Sequence, residues 1–414
     1  MICAWNERAI FANVGGTAGK LIQLLSLYIQ GQELFVFPGK IERVMPMTDG
    51  WWRKPEMRNN TFKIYGRKPI MKSVMKKLIA VGMAAAMIST AAGCSSSGSS
   101  SAAASGSSNS SDKKVTVGVI QYATHPSLNN CYTGFKEGLK EAGYEEGKNL
   151  TVDFQNAQAD NSNSDLMAKN MVSKKYDMIM TIATPSAMSA FSAAKSTNIP
   201  VVFTAVSDPV AAQLVTSLQK PGSNCTGSSD VLPLEAQLKM IRAYLPKAKK
   251  IGVLYTTSEV NSVSTLKTFK ELAPKYNFEV ADVGITNSSE VASGAASLVA
   301  KGVDCVNNFT DNNVVNNLST LLQATDKAKI PVFGSEVEQV KNGCLAAQSI
   351  DYVALGKETG KMAAKILKGE AKASDTPVYV VSEGKPVYNK SILEKFSLTL
   401  PSSYSNAEAV TASK

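Results

Sequence analysis

Polar and acidic side chains recur just after short runs of apolar and β-branched residues, where a fold could gather them for chemistry. Gln121, Tyr122 and His125 follow residues 115–120. Thr184 and Ser186 follow residues 178–182. Thr204 closes residues 201–204, with Ser207 and Asp208 next. Tyr255, Ser258, Glu259 and Asn261 end or follow residues 251–255; Asp311 and Asn312 follow residues 305–309. Glu336 follows residues 331–333, and Asp351 follows residues 345–348. The set sorts by half. The first half offers mostly hydroxyls at helix starts, which suit an anion because backbone N–H groups and the positive dipole end face it. The second half offers the acids Glu259, Asp311 and Glu336, which suit a cation. A cleft with an anion site on one wall and carboxylates on the other fits a zwitterion such as an amino acid. Each of these residues is also a plausible helix N-cap. Tyr122, Tyr255 and Phe309 are candidate stacking surfaces, or core.

Enzyme chemistry finds little support. The chain has one histidine, His125, which argues against histidine-based metal sites and against a Ser-His-Asp relay. There is no nucleophile elbow, metal cluster or Gly-rich phosphate loop. Ser207 and Asp208 are adjacent but lack a base between them. No cofactor, metal or catalytic residue is expected.

The elements that must position these residues alternate strand and helix. Residues 115–120, 150–154, 178–182 and 201–204 read as buried strands. Residues 127–142, 165–175 and 186–195 read as helices, with Phe135 and Leu139 at i, i+4 in the first. That alternation means parallel sheets covered by helices on both faces. The plan then restarts: Lys113 is echoed at Lys249, Asp177 at Asp304 and Pro200 at Pro331, offsets of 136, 127 and 131 residues. The offset of 127 sets Asp311 opposite Thr184. A linker is expected near residues 227–233, and residues 345–348, 353–368 and 378–381 read as a further strand, helix and strand that complete the lobes. The fold class is α/β, with two doubly wound parallel-sheet lobes joined by a hinge of several crossovers. The lobes are placed at 113–228 with about 349–376, and at 229–348 with about 377–400, leaving 401–414 as a tail.

Composition points the same way. The chain has 414 residues and a formal charge of +10. Residues 1–93 carry +8 of it and residues 94–414 only +2. The foldable part is nearly neutral, so nucleic acid is not an expected partner.

Met75-Lys76-Lys77 opens a basic stretch, residues 78–92 are uncharged and largely apolar, and Ala91-Ala92-Gly93-Cys94 follows. This is the layout of a secretory signal over 75–93, too short to span a bilayer comfortably. Cys94 after small residues resembles a bacterial lipobox cysteine, the lipidation site and mature N-terminus. Residues 95–111 are only Ser, Ala, Gly and Asn, a composition that stays disordered. Within the 94–112 tether they would reach roughly 20–25 Å. Residues 1–74 then read as a leader with no fold of its own, translated upstream of the true start. Cys131, Cys225, Cys305 and Cys344 show no CxxC spacing and read as small buried residues.

Residues 113–400 resemble the ABC-transporter substrate-binding lipoproteins of the TrpX-like type. The matching pieces are Gln121 with His125-Pro126, Gly134-Phe135-Lys136-Glu137-Gly138-Leu139, Thr181-Ile182-Ala183-Thr184-Pro185, the run from Val202 to Pro209, Pro221 to Gly227, Ser258-Glu259-Val260-Asn261-Ser262 and Thr310-Asp311-Asn312. The resemblance implies a class I periplasmic-binding-protein fold with three crossovers. It also implies a small ligand, an amino acid and for several members an aromatic one, captured in the cleft. Delivery would be to an ABC permease with its ATPase, by a monomer lipid-anchored on the outer face of the cytoplasmic membrane. A sensor-coupled lipoprotein and, further off, an exported enzyme are the alternatives. A transcriptional regulator on the same two lobes would need a helix-turn-helix before Lys113, where the tether stands.

Overall fold

A computed structural model describes residues 114–381 and 383–411, together with Phe35–Phe37 and Lys40–Glu42. The chain divides into two compact units, Met1–Ala102 and Ala103–Lys414. In the first unit the two described strands pair antiparallel, Phe35 opposite Glu42, so the leader is not wholly without regular structure. Cys94, the signal segment and the tether lie outside the described residues.

The second unit is the α/β body. Its first lobe runs β1 (Val115–Gln121), α1 (Pro126–Glu141), β2 (Leu150–Asn156), α2 (Asn161–Ser173), β3 (Met178–Ile182), α3 (Thr184–Ala194), β4 (Val201–Thr204) and β5 (Cys225–Ser229). After the first crossover come α4 (Leu234–Tyr244), β6 (Lys250–Thr256), α5 (Val260–Leu272), β7 (Glu279–Ile285), α6 (Val291–Ala300), β8 (Cys305–Asn307), α7 (Asn312–Asn316), α8 (Leu318–Lys327), β9 (Val332–Phe333), α9 (Val337–Lys341) and β10 (Ala346–Ser349). The chain returns through α10 (Tyr352–Leu367) and β11 (Tyr379–Val380), then crosses a third time to β12 (Lys385–Asn389), α11 (Lys390–Lys395) and β13 (Glu408–Val410).

The first sheet is parallel, ordered β11-β5-β4-β3-β1-β2, and the second is parallel, ordered β9-β8-β6-β7. Reading β2-β1-β3-β4 against β7-β6-β8-β9 shows one topology used twice, as the internal offsets anticipate. β10, β12 and β13 form a small mixed sheet beside the second lobe. β1, β3 and β4 are buried along nearly their whole length, as parallel strands covered on both faces must be.

Three sequence expectations need correction here. Residues 225–229, placed partly in a linker, are the buried strand β5; its Cys-Thr-Gly-Ser-Ser has low strand propensity, and burial together with pairing to β4 and β11 holds it. The strand near 378–381, assigned to the second lobe, pairs with β5 at the edge of the first sheet. The stretch 401–414, read as a tail, contains β13, which pairs with β12. Both of these strands are two or three residues long, too short to show periodicity.

The return helix α10 packs closely on α1. A Cβ at Gly134 would collide with the carbonyl oxygen of Val353, and one at Gly360 with that of Phe135. The helices therefore touch backbone to backbone where Gly134 and Gly138 face Gly356 and Gly360. Phe135 and Leu139 of α1 are fully buried in the same core, each worth about 1.5–3 kcal/mol over exposure. This seam fixes where the second crossover delivers its residues.

Candidate ligand-binding site

In parallel α/β sheets, ligand groups gather beyond the carboxyl ends of the strands. Here those ends from both lobes face a common small cavity. The first lobe contributes His125, Ser127 and Leu128 at the start of α1, Ala183 and Thr184 at the start of α3, and Ala205 and Ser207 after β4. The second contributes Asn261, Thr310, Asn312, Val315, Glu336 and Gln339; Asp230 and Tyr352 come from the first and second crossovers.

Two helix N-termini of the first lobe open toward this space without a side-chain cap. The residue before α1 is His125 and that before α3 is Ala183, and neither side chain caps its helix. Ala183 holds φ 81°, a left-handed conformation unusual for a residue with a Cβ, where the chain turns from β3 into α3. The Thr184 hydroxyl and His125 Nδ1 have no partner within the protein. Burial lowers the His125 pKa to about 4, so it is neutral at pH 7. Hydroxyl and dipole end together suit a carboxylate group.

The acids of the site are Asp230 and Glu336. Asp230 is 2% exposed, accepts from Ser207 Oγ at 2.9 Å and from the Tyr352 hydroxyl at 2.7 Å, and burial raises its pKa. Glu336 is 1% exposed, caps α9 through the N–H groups of Glu338 and Gln339, and burial pushes it up to about 7. No Lys or Arg is among the described residues lining the cavity. Two dry acids without a basic partner call for a cationic group.

The sequence-derived candidates divide. His125, Thr184, Ser207, Asn261, Asn312 and Glu336 line the cavity. Asp311 does not. Its carboxylate accepts from the Thr256 N–H at 2.6 Å, Thr256 Oγ1 at 2.8 Å, Ser262 Oγ at 2.6 Å and the Val314 N–H at 3.0 Å. Four donors occupy both oxygens, so it caps α7 and ties β6, α5 and α7 together rather than anchoring ligand. The internal repeat does set it opposite Thr184, but the two side chains are used differently. Glu259 also stays off the cavity wall, bonded to Asn261 and Asn312.

The other candidates are elsewhere too. Gln121 donates to Ala123 O and Asn129 Oδ1, and the Tyr122 hydroxyl to Ala159 O. Ser186 pairs with Ser164 and Thr204 with Ser228. Asp208 caps the turn at Ala211 and takes a short hydrogen bond from Ser264 of the second lobe. Tyr255 packs on the core, Ser258 is exposed, and exposed Asp351 caps α10. Phe309 lies edge-on against Phe269 in the core at 5.4 Å, so no expected stacking ring borders the cavity. The sequence reading missed Asp230 and Tyr352. The rule that found the others, the residue just after a strand, finds Asp230 once β5 is recognised.

The family model described as ABC transporter substrate binding protein matches residues 116–411. The chain belongs to this family. It is 41% identical over 286 residues to a tyrosine-binding protein of Clostridioides difficile, covering 69% of this chain and 82% of that one. A Streptococcus pneumoniae ABC domain in complex with L-Trp matches at 37% identity and TM-score 0.69, over 72% of this chain and 100% of that one. A ligand-free, open substrate-binding protein with adhesive properties from Clostridium difficile matches at 42% identity and TM-score 0.57, again over 72% and 100%. The solved class I neighbours share the two-lobe fold. The TM-score is higher to the L-Trp complex than to the ligand-free, open form. In this substrate-binding protein Ser264 of the second lobe donates to Asp208 of the first, a hydrogen bond across the cleft.

Proposed function

We propose that this substrate-binding protein captures an L-amino acid between its lobes and hands it to an ABC permease. One observation carries the reading. A single cavity holds two buried acids, Asp230 and Glu336, and, on the first-lobe side, an uncapped helix N-terminus with the free hydroxyl of Thr184. An α-ammonium meets the acids and an α-carboxylate the helix end. Leu128, Ala205, Val315 and the Tyr352 ring offer surface to an apolar side chain. The names of the similar proteins, one tyrosine-binding and one bound to L-Trp, favour an aromatic one.

Residues 75–93 act as the export signal and Cys94 takes the lipid. The tether then holds a monomer at the outer face of the cytoplasmic membrane, with residues 1–74 upstream of the true start. Its role is capture and delivery, without catalysis. The test is thermal unfolding of the full chain with L-tyrosine, L-tryptophan and a panel of other amino acids, sugars and nucleosides. A true ligand at 100 times its Kd adds about 2.7 kcal/mol. Stabilisation by a sugar or nucleoside and by no amino acid would overturn the reading.

A further inference from the structure

Two asparagines form part of the second-lobe wall, and one buried carboxylate accepts from the side-chain nitrogen of each, with the Thr310 carbonyl and Ser262 Oγ farther off, both at 3.4 Å from Asn261 Nδ2. Glu259 is 2% exposed and precedes α5 without capping it. Its Oε2 accepts from Asn312 Nδ2 at 2.8 Å, Asn261 Nδ2 at 3.1 Å and the backbone N–H of Asn312 at 3.1 Å. A backbone N–H only donates, so Oε2 acts as an acceptor toward Asn312 N, the role of the unprotonated oxygen of this carboxyl group. The amide atoms facing that oxygen must then be the NH₂ groups, which settles an orientation that side-chain shape alone leaves open. With both nitrogens held at Glu259, the carbonyl ends point the other way. Asn261 is 4% exposed and lines the cavity, and its Oδ1 has no partner in the protein. A buried acceptor left open on a cavity wall is a place for a ligand donor.

We infer that Glu259 is a positioning residue for ligand selection: it turns the amides of Asn261 and Asn312 so that this wall presents carbonyl oxygens and favours an ammonium over a group that only accepts. The inference rests on the amino-acid reading above and adds to it a residue that never touches the ligand.

The experiment compares L-tyrosine with 3-(4-hydroxyphenyl)propionate, the same molecule without its ammonium, by calorimetry on the parent chain and on Glu259→Gln. The parent should prefer the amino acid by 100-fold or more. In Glu259→Gln the new amide can donate, the asparagines are free to turn, and the preference should drop at least tenfold. Equal weakening of both compounds, with the ratio kept, would mean that Glu259 is merely structural and would overturn the inference. A parent that binds no amino acid would remove the amino-acid reading itself, a different failure from a kept ratio. A second measurement needs no variant. With asparagine labelled in ¹⁵N, the Nδ2 protons of Asn261 and Asn312 should exchange slowly and keep their shifts when L-tyrosine is added. Fast exchange in the free protein, or large shifts on binding, would place the NH₂ groups toward the ligand and overturn it as well.

Discussion

The Tyr352 hydroxyl donates a 2.7 Å hydrogen bond to the carboxylate of Asp230, joining two residues 122 positions apart. Asp230 stands in the first crossover and Tyr352 at the end of the second, and both line the cavity. A ligand cation held by Asp230, as proposed, would sit on a bond that links two of the three connections between the lobes. Hinge closure of such lobes around a ligand is a common response to binding, and this pair would put the proposed ligand contact at the hinge.

Asp230→Asn should therefore be the most damaging single change to binding. Loss of a buried charge partner costs about 3–5 kcal/mol, several hundred-fold or more in Kd. Tyr352→Phe removes one hydrogen bond to a charged group, about 1.5–3 kcal/mol. Calorimetry with L-tyrosine or L-tryptophan measures both. Near-parental affinity in Asp230→Asn would mean the ammonium is held elsewhere.

Asp311→Asn should behave differently. Asp311 has four protein donors and no place on the cavity wall. The amide keeps some capping ability but loses acceptor sites facing Thr256 and Ser262. Denaturant unfolding should show about 3 kcal/mol of lost stability, while folded protein binds within a few-fold of the parent. Intact stability with abolished binding would restore Asp311 as a ligand anchor.

Glu336 sets a pH dependence. Burial lifts its pKa from 4.5 to about 7, so between these values the folded state binds more protons than the unfolded. Stability contributed in this way is full below pH 4.5 and declines as pH rises through 7, by about 3 kcal/mol in all. Asp230, also raised by burial, acts in the same direction. Ligand affinity should run oppositely: an ammonium needs the ionised carboxylate, so Kd tightens from pH 5 to about 8 and binding releases protons. Calorimetry in buffers of different ionisation heat reads that release. Glu336→Gln should flatten both profiles; an unchanged affinity profile would separate Glu336 from the ligand.

Gly134→Ala tests the seam that carries the second crossover. A methyl group there meets the Val353 carbonyl, and overpacking of this kind costs about 1–3 kcal/mol. Chemical denaturation should show the loss. Unchanged stability would mean that α1 and α10 can part slightly at no cost.

The α/β class, the parallel sheets and the doubled plan were legible in the residues alone, because these depend on local properties: buried β-branched runs, helical spacing and repetition at nearly one offset. Of the residues singled out after strands, His125, Thr184, Ser207, Asn261, Asn312 and Glu336 line the cavity. What each acid does depended on its neighbours in the folded chain. Asp311 and Asp230 both follow a strand and both are buried. Asp311 meets Thr256 and Ser262, brought to it by the folding of β6 and α5, and its oxygens are filled. Asp230 meets two hydroxyls and keeps a face toward the cavity, because the glycine seam of α1 and α10 delivers Tyr352 from 122 residues away. A carboxylate's role follows from how many donors surround it, and those donors come from distant parts of the chain, so local spacing carries no record of them.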